Sequence, residues 1–210
     1  MDDTRCYVAG IDKVYQEWMS YLGVVASVWF FAGVYLAAKR YPDYSHVNQF
    51  CSELGACGSP TQDLSPRVNN YPLALIFCGF GFYVISHPQG NWALDSIGVL
   101  ITCHGIATAV AGFFPMDADP YTTTPSQACN IHSWAGVVML LSLLIAPLLV
   151  WFVTPLEKGF AWFSTACVLV CIGFSFKLAK AYKLKRGVGL YQRLSYGAQL
   201  VWLSALAVIF

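Results

Sequence analysis

The chain has 210 residues, of which 57% are hydrophobic and only 11% charged, with a mean hydropathy of +0.56. Soluble domains carry about 25% charged residues, so this composition excludes an ordinary water-soluble fold and indicates a polytopic membrane protein. A formal net charge of +1 gives no electrostatic footprint for nucleic acid. The eight cysteines form neither a secreted disulfide pattern nor CxxC zinc pairs.

No basic n-region precedes the first apolar run and no small-residue cleavage site follows it, so no cleaved signal peptide is expected. Residues 1–17 are expected as a short amphipathic lead-in, and residues 18–210 as one transmembrane domain. A helix crossing the roughly 30 Å hydrocarbon core needs about 20 apolar residues. Six segments meet that length: Trp18–Ala38, Tyr71–Ser86, Trp92–Phe114, Ala128–Val153, Phe160–Ala179 and Tyr191–Phe210. Trp18, Trp92, Trp151 and Trp162 stand near their ends, as an aromatic belt requires. Most connections are short, so the expected fold is all-α, with six transmembrane helices in one antiparallel bundle.

Six crossings divide the loops between two sides. The first, third and fifth loops with their flanks carry nine positive residues (Lys39, Arg40, Arg67, Lys177, Lys180, Lys183, Lys185, Arg186 and Arg193), against Arg5, Lys13 and Lys158 on the other side. The positive-inside rule places the first group in the cytoplasm. The expected location is the plasma (inner) membrane, with both termini extracytoplasmic. Cys51, Cys57 and Cys129 then face a reducing compartment as free thiols.

Polar groups inside such a bundle are costly and tend to mark a site. His104 lies mid-helix, with Thr108 and Gly112 on its face. The helix stops at Phe114-Pro115, and an acidic loop with Asp117 and Asp119 leads to His132 at the start of the fourth helix. At a rise of 1.5 Å per residue, His104 lies roughly 15 Å deeper than Pro115, so the two histidines sit at different depths. This argues against bis-histidine haem ligation by the pair. The first loop, 39–70, is long for a helix connection and contains Ser52-Glu53-Leu54-Gly55. Gln192, Tyr196 and Gln199 form a polar stripe on the last helix beside Arg193.

A histidine with carboxylates suits zinc with open coordination, His132, Glu53 and Asp117 being the possible ligands. It equally suits general acid–base chemistry. Ser52 is a candidate nucleophile, although no G-x-S-x-G elbow surrounds it. Glu53 could equally be only a helix cap. Arg193 suits an anionic head group or an ion pair with Glu53 or Asp117, its alternative being a snorkelling interfacial arginine. His104, Gln192, Tyr196 and Gln199 would line a substrate cavity. Cys167, Cys171 and Ser175 on the fifth helix are expected as small packing residues, and the basic run Lys177–Arg186 as a topology determinant that also attracts anionic lipid.

The order Ser52-Glu53-Leu54-Gly55, Gly112-Phe113-Phe114-Pro115 with Asp117, His132 at the start of the fourth helix and Gln192-Arg193 opening the last resembles the domain of unknown function 998 family. These are mostly bacterial and archaeal membrane proteins of about six helices. The resemblance covers nearly the whole chain and implies a fold and candidate positions (Ser52, Glu53, Gly55, Pro115, Asp117, His132 and Arg193), not a reaction. Three functions compete. The first is an intramembrane enzyme that hydrolyses or acyl-transfers a membrane lipid or another amphiphile. The second is a small proton-coupled transporter, which would need to form a homodimer to build its gate. The third is a non-catalytic binding or assembly protein.

Overall fold

A computed structural model describes residues 18–88, 91–154 and 156–209; the lead-in expected over residues 1–17 lies outside them. Six long helices are present among the described residues: α1 (Leu22–Ala38), α2 (Tyr71–Ile85), α3 (Trp92–Phe113), α4 (Gln127–Leu149), α5 (Lys158–Leu184) and α6 (Val188–Ile209). Five are long and apolar enough to cross a membrane once their helical extensions at Trp18, Pro66 and Phe152 are included. The sixth, α6, matches α3 in length at 22 residues, but Gln192, Arg193 and Gln199 lower its apolarity. Leu75, Phe82, Ile106, Leu169 and Val208 stand exposed on the outside of the molecule. Such continuous apolar exposure is the mark of a lipid-facing surface. Trp18, Trp92 and Trp162 are exposed close to helix ends, where an aromatic belt meets the head groups. The protein is an all-α, multi-pass membrane protein.

The helix boundaries follow the apolar runs closely except in α5. The expected span ends at Ala179, yet the helix continues to Leu184. Alanine and lysine are strong helix formers, so the basic run extends the rod instead of forming a loop. Only residues 185–187 remain as the turn, with Lys185 at φ 50° and Gly187 at φ 78°. The left-handed conformation stops α5 there, and α6 starts at Val188, three residues before the expected Tyr191.

Packing differs around the bundle. The core holds Phe77, Phe80, Leu94, Ile97, Trp202, Leu203 and Leu206, all fully buried. The α2–α3 seam is so close that a Cβ on Gly98 would stand 2.7 Å from the Gly81 carbonyl oxygen. One on Gly105 would stand 2.9 Å from that of Ala74. Small residues let helix backbones approach in this way. Hydroxyls stitch α6 to its neighbours: Ser27 Oγ donates to the Leu200 carbonyl at 3.0 Å, and the Trp202 indole donates to Ser164 Oγ at 3.0 Å. The first half of α4 behaves differently. Up to Leu141 its one buried residue is Ala135, whereas Ser142, Leu143, Ala146 and Pro147 beyond it are buried. Past Cys171, α5 buries only Ala181. These two loosely packed stretches face a common space.

Candidate functional site

The site begins with the first loop, which folds back over the ends of the helices and is held there by α6. Arg193 donates through Nη1 to the carbonyls of His46 (2.7 Å), Gln49 (3.1 Å) and Gly189 (2.9 Å), and through Nη2 to the Tyr44 hydroxyl (2.7 Å). A planar fork with fixed donors suits such a clamp better than a lysine would. Gln192 Oε1 accepts from the Cys51 amide at 2.8 Å. Gly189 leaves the room this needs, because a Cβ there would stand 2.7 Å from the His46 carbonyl oxygen. Burial pushes the Cys51 thiol up to about 11, with the nearby Arg193 charge pulling the other way. Burial likewise raises the Tyr44 phenol well above its ordinary range. The first loop is tied to the third by the Cys57 amide, which donates to the Met116 carbonyl at 2.8 Å.

Beneath this roof lies a cavity of about 780 Å³, within the usual range for small-molecule sites of about 300–1,000 Å³. Its polar end carries Ser52, Ser65, Asn70, His132, Gln192 and Lys183; its deeper walls include Phe30, Leu73, Met139, Leu140 and Leu178. The hydroxyls of Ser52 and Ser65 have no hydrogen-bond partner among the described residues. Gly136 lines the cavity, and a Cβ there would meet nothing within 4 Å.

His132 sits one turn into α4. The helix opens at Ser126, whose hydroxyl accepts from the Cys129 amide at 3.1 Å. The Ser126 amide donates to Asp117 Oδ2 at 2.8 Å. These bonds from Ser126 hold the Asp117 carboxyl below its ordinary range. His132 Nδ1 faces the carbonyls of Ala111 (3.0 Å) and Phe114 (2.8 Å). Carbonyls only accept, so Nδ1 carries the proton. In the neutral ring Nε2 is then the acceptor nitrogen, without a partner among the described residues, on a residue that lines the cavity.

His104 is completely buried and does not itself line the cavity. Its Nδ1 donates to the Met139 carbonyl at 2.9 Å, which leaves Nε2 to accept from the Tyr196 hydroxyl at 2.8 Å. Tyr196 lines the cavity, so the pair joins α3, α4 and α6 beneath its floor. Gln199, also a lining residue, donates to the Leu140 carbonyl at 3.0 Å.

The structure therefore groups Ser52, His132, Gln192, Tyr196 and Gln199 around one space, with His104 behind it. Glu53, Asp117 and Arg193 do not join them. Glu53 accepts from the Phe50 amide (2.7 Å) and from Gln49 Nε2 (3.1 Å), capping the short 3₁₀ turn Cys51–Gly55. Asp117 holds the start of α4, and Arg193 holds the first loop. Among the described residues, no three His, Cys, Asp or Glu side chains come together to hold a metal ion. The trio His132, Glu53 and Asp117 thus does not fit a zinc site. All seven described cysteines are free. Lys183 is the site residue whose position the sequence did not disclose, because the extra turns of α5 carry it to the cavity mouth.

A family model described as "Protein of unknown function (DUF998)" matches residues 24–209. The chain belongs to the DUF998 family. No curated protein and no solved structure matches it. For this DUF998 protein the matched region includes every described residue that lines the cavity.

Proposed function

We propose that this DUF998 protein crosses the plasma membrane six times with its first, third and fifth loops in the cytoplasm. Its cavity admits a membrane amphiphile and cleaves or transfers an acyl ester. The reading rests on one observation above all: His132 lines an amphiphile-sized cavity with its Nδ1 engaged by two carbonyls, which leaves Nε2 as the nitrogen free for proton transfer. Nε2 accepts a proton from a nucleophile, either a water molecule or the Ser52 hydroxyl, as the nucleophilic oxygen bonds to the ester carbonyl carbon. The ester C–O bond then breaks, and the imidazolium returns the proton to the departing alkoxide. With water as nucleophile the products are an acid and an alcohol. With Ser52 an acyl-serine forms first, for water or a second alcohol to resolve. Glu53, Asp117 and Arg193 support this chemistry by fixing the roof and α4.

The test is turnover of a long-chain p-nitrophenyl ester by the purified protein in nanodiscs, beside His132→Gln and Gly136→Leu. The expected result is turnover lost in both variants with melting temperatures preserved. A well-folded wild type without turnover would remove the enzyme reading. Retained binding of the amphiphile would then favour a binding protein. Flux into proteoliposomes that disappears in His104→Gln would favour a transporter, in which the His104–Tyr196 pair carries protons.

A further inference from the structure

The charge around the cavity is one-sided. Among the described residues, Lys183 is the sole Lys, Arg, Asp or Glu lining it, and no carboxylate shares the space. In the adjoining loops, Glu53, Asp117 and Asp119 each accept from a backbone amide. The side chain before Lys183 fixes this end of α5: the Tyr182 hydroxyl donates to the Pro120 carbonyl at 3.0 Å, and its ring packs on Tyr121 with centroids 5.0 Å apart. Lys185, by contrast, lies over the Tyr121 ring at 4.8 Å, outside the cavity. On the roof, the Ser52 and Ser65 hydroxyls remain available as donors. From this polar end the space descends along Gly136, Met139, Leu140 and Leu178, between the loosely packed stretches of α4 and α5.

We propose that the cavity selects amphiphiles with an anionic, oxygen-rich head group. Lys183 pairs with the charge, the roof hydroxyls donate to its oxygens, and the acyl chain lies along the α4–α5 gap. This deepens the proposed function by naming its ligand class and rests on the same cavity. An ammonium paired with a phosphate makes a charge-assisted contact, and losing one such hydrogen bond weakens binding by roughly tenfold or more.

Native mass spectrometry of the detergent-purified protein can compare 1-oleoyl lysophosphatidic acid with 1-monooleoylglycerol, which share chain and glycerol and differ by the phosphate. The wild type and Lys180→Gln, a neutralised site on α5 outside the cavity, should prefer the phosphate ligand by roughly tenfold. Lys183→Gln should abolish that preference and Lys183→Arg should retain it. Excess inorganic phosphate should leave the lipid bound, since a free anion lacks the chain; displacement would assign the site to a soluble anion and overturn the amphiphile. Equal binding of the two lipids by the wild type, or an unchanged preference in Lys183→Gln, would overturn the head-group assignment while leaving the cavity reading in place. Binding of neither lipid would overturn both.

Discussion

The α2–α3 seam and the α4–α5 seam use glycine in opposite ways. In the first, Gly81, Gly98 and Gly105 let two backbones touch, and an added Cβ would strike a carbonyl that cannot swing aside. In the second, Gly136 faces open space, with nothing within 4 Å of a Cβ. One side of the bundle is thus a closed frame and the other a gap roofed by the first loop. Without a hydrophobic force between helices in lipid, close van der Waals packing is the main source of association. The gap therefore forgoes stability that the same residues could have supplied by closing, as expected if the space is kept for a ligand.

The sharpest way to break this contrast is a pair of matched substitutions. Gly98→Leu should be the most damaging change, because overpacking against backbone costs about 1–3 kcal/mol or more; the expected result is loss of the monodisperse peak or a large fall in melting temperature. Gly136→Leu should do the reverse. It replaces a helix-interior glycine with a good helix former, a gain of up to about 1 kcal/mol, so the melting temperature should hold or rise while the cavity fills. Equal damage at both positions would mean that the two seams are alike.

The roof depends on Arg193. Replacing it with Met leaves the His46 and Gln49 carbonyls and the Tyr44 hydroxyl without their donor, at a cost of about 2–3 kcal/mol. Lysine should rescue this poorly, since one ammonium cannot reach the divergent acceptors served by a guanidinium. Chemical denaturation of the three proteins in detergent would rank them wild type, then Lys, then Met. A Lys variant as stable as the wild type would show that the fork is not needed.

The frame was more legible in the sequence than the gap. Long apolar runs and belt tryptophans mark the helices, and the cost of an intramembrane imidazole singled out His104, which the sequence puts on the cavity wall and the structure puts behind it with Met139 and Tyr196 as partners. The partners were another matter. Glu53 and Arg193 look like a site because they are charged and lie near other polar residues, yet each is satisfied by backbone a few residues away or across the roof. Sequence spacing carries no information on which carbonyl or amide a side chain will meet. The extra turns of α5 escaped for a related reason: lysines read as loop by charge also read as helix by propensity. Lys183 consequently turned from a topology marker into a cavity residue.

Thiol labelling offers a finer probe of where the roof ends. Cys57 is exposed, whereas Cys51 is half-buried, free and raised to about 11 by burial. Maleimide reacts with the thiolate, so at pH 7.5 Cys57 should label at least tenfold faster than Cys51, as read by mass spectrometry of the peptides. Applied to intact cells, a membrane-impermeant reagent should leave Cys57 unlabelled if the first loop is cytoplasmic. Rapid Cys51 labelling would mean that the roof opens.

The smallest effect is expected at Asp117, on the solvent side of the same roof. Its carboxyl is lowered by hydrogen bonds from Ser126, so the folded protein holds it ionised to lower pH than the unfolded chain does. The sign follows from linkage: the contribution is present above the ordinary value of 3.8 and is lost as the pH falls through the lower folded value. Between pH 5 and pH 8 Asp117 therefore adds no slope to stability, and the residue is open to solvent on one side, so solvent screens most of the gain. Asp117→Asn should leave the melting temperature nearly unchanged in that range and flatten only the acid limb below about pH 4. A large loss of stability at neutral pH would mean that Asp117 carries more than the start of α4. It would then share in closing the open side of the bundle.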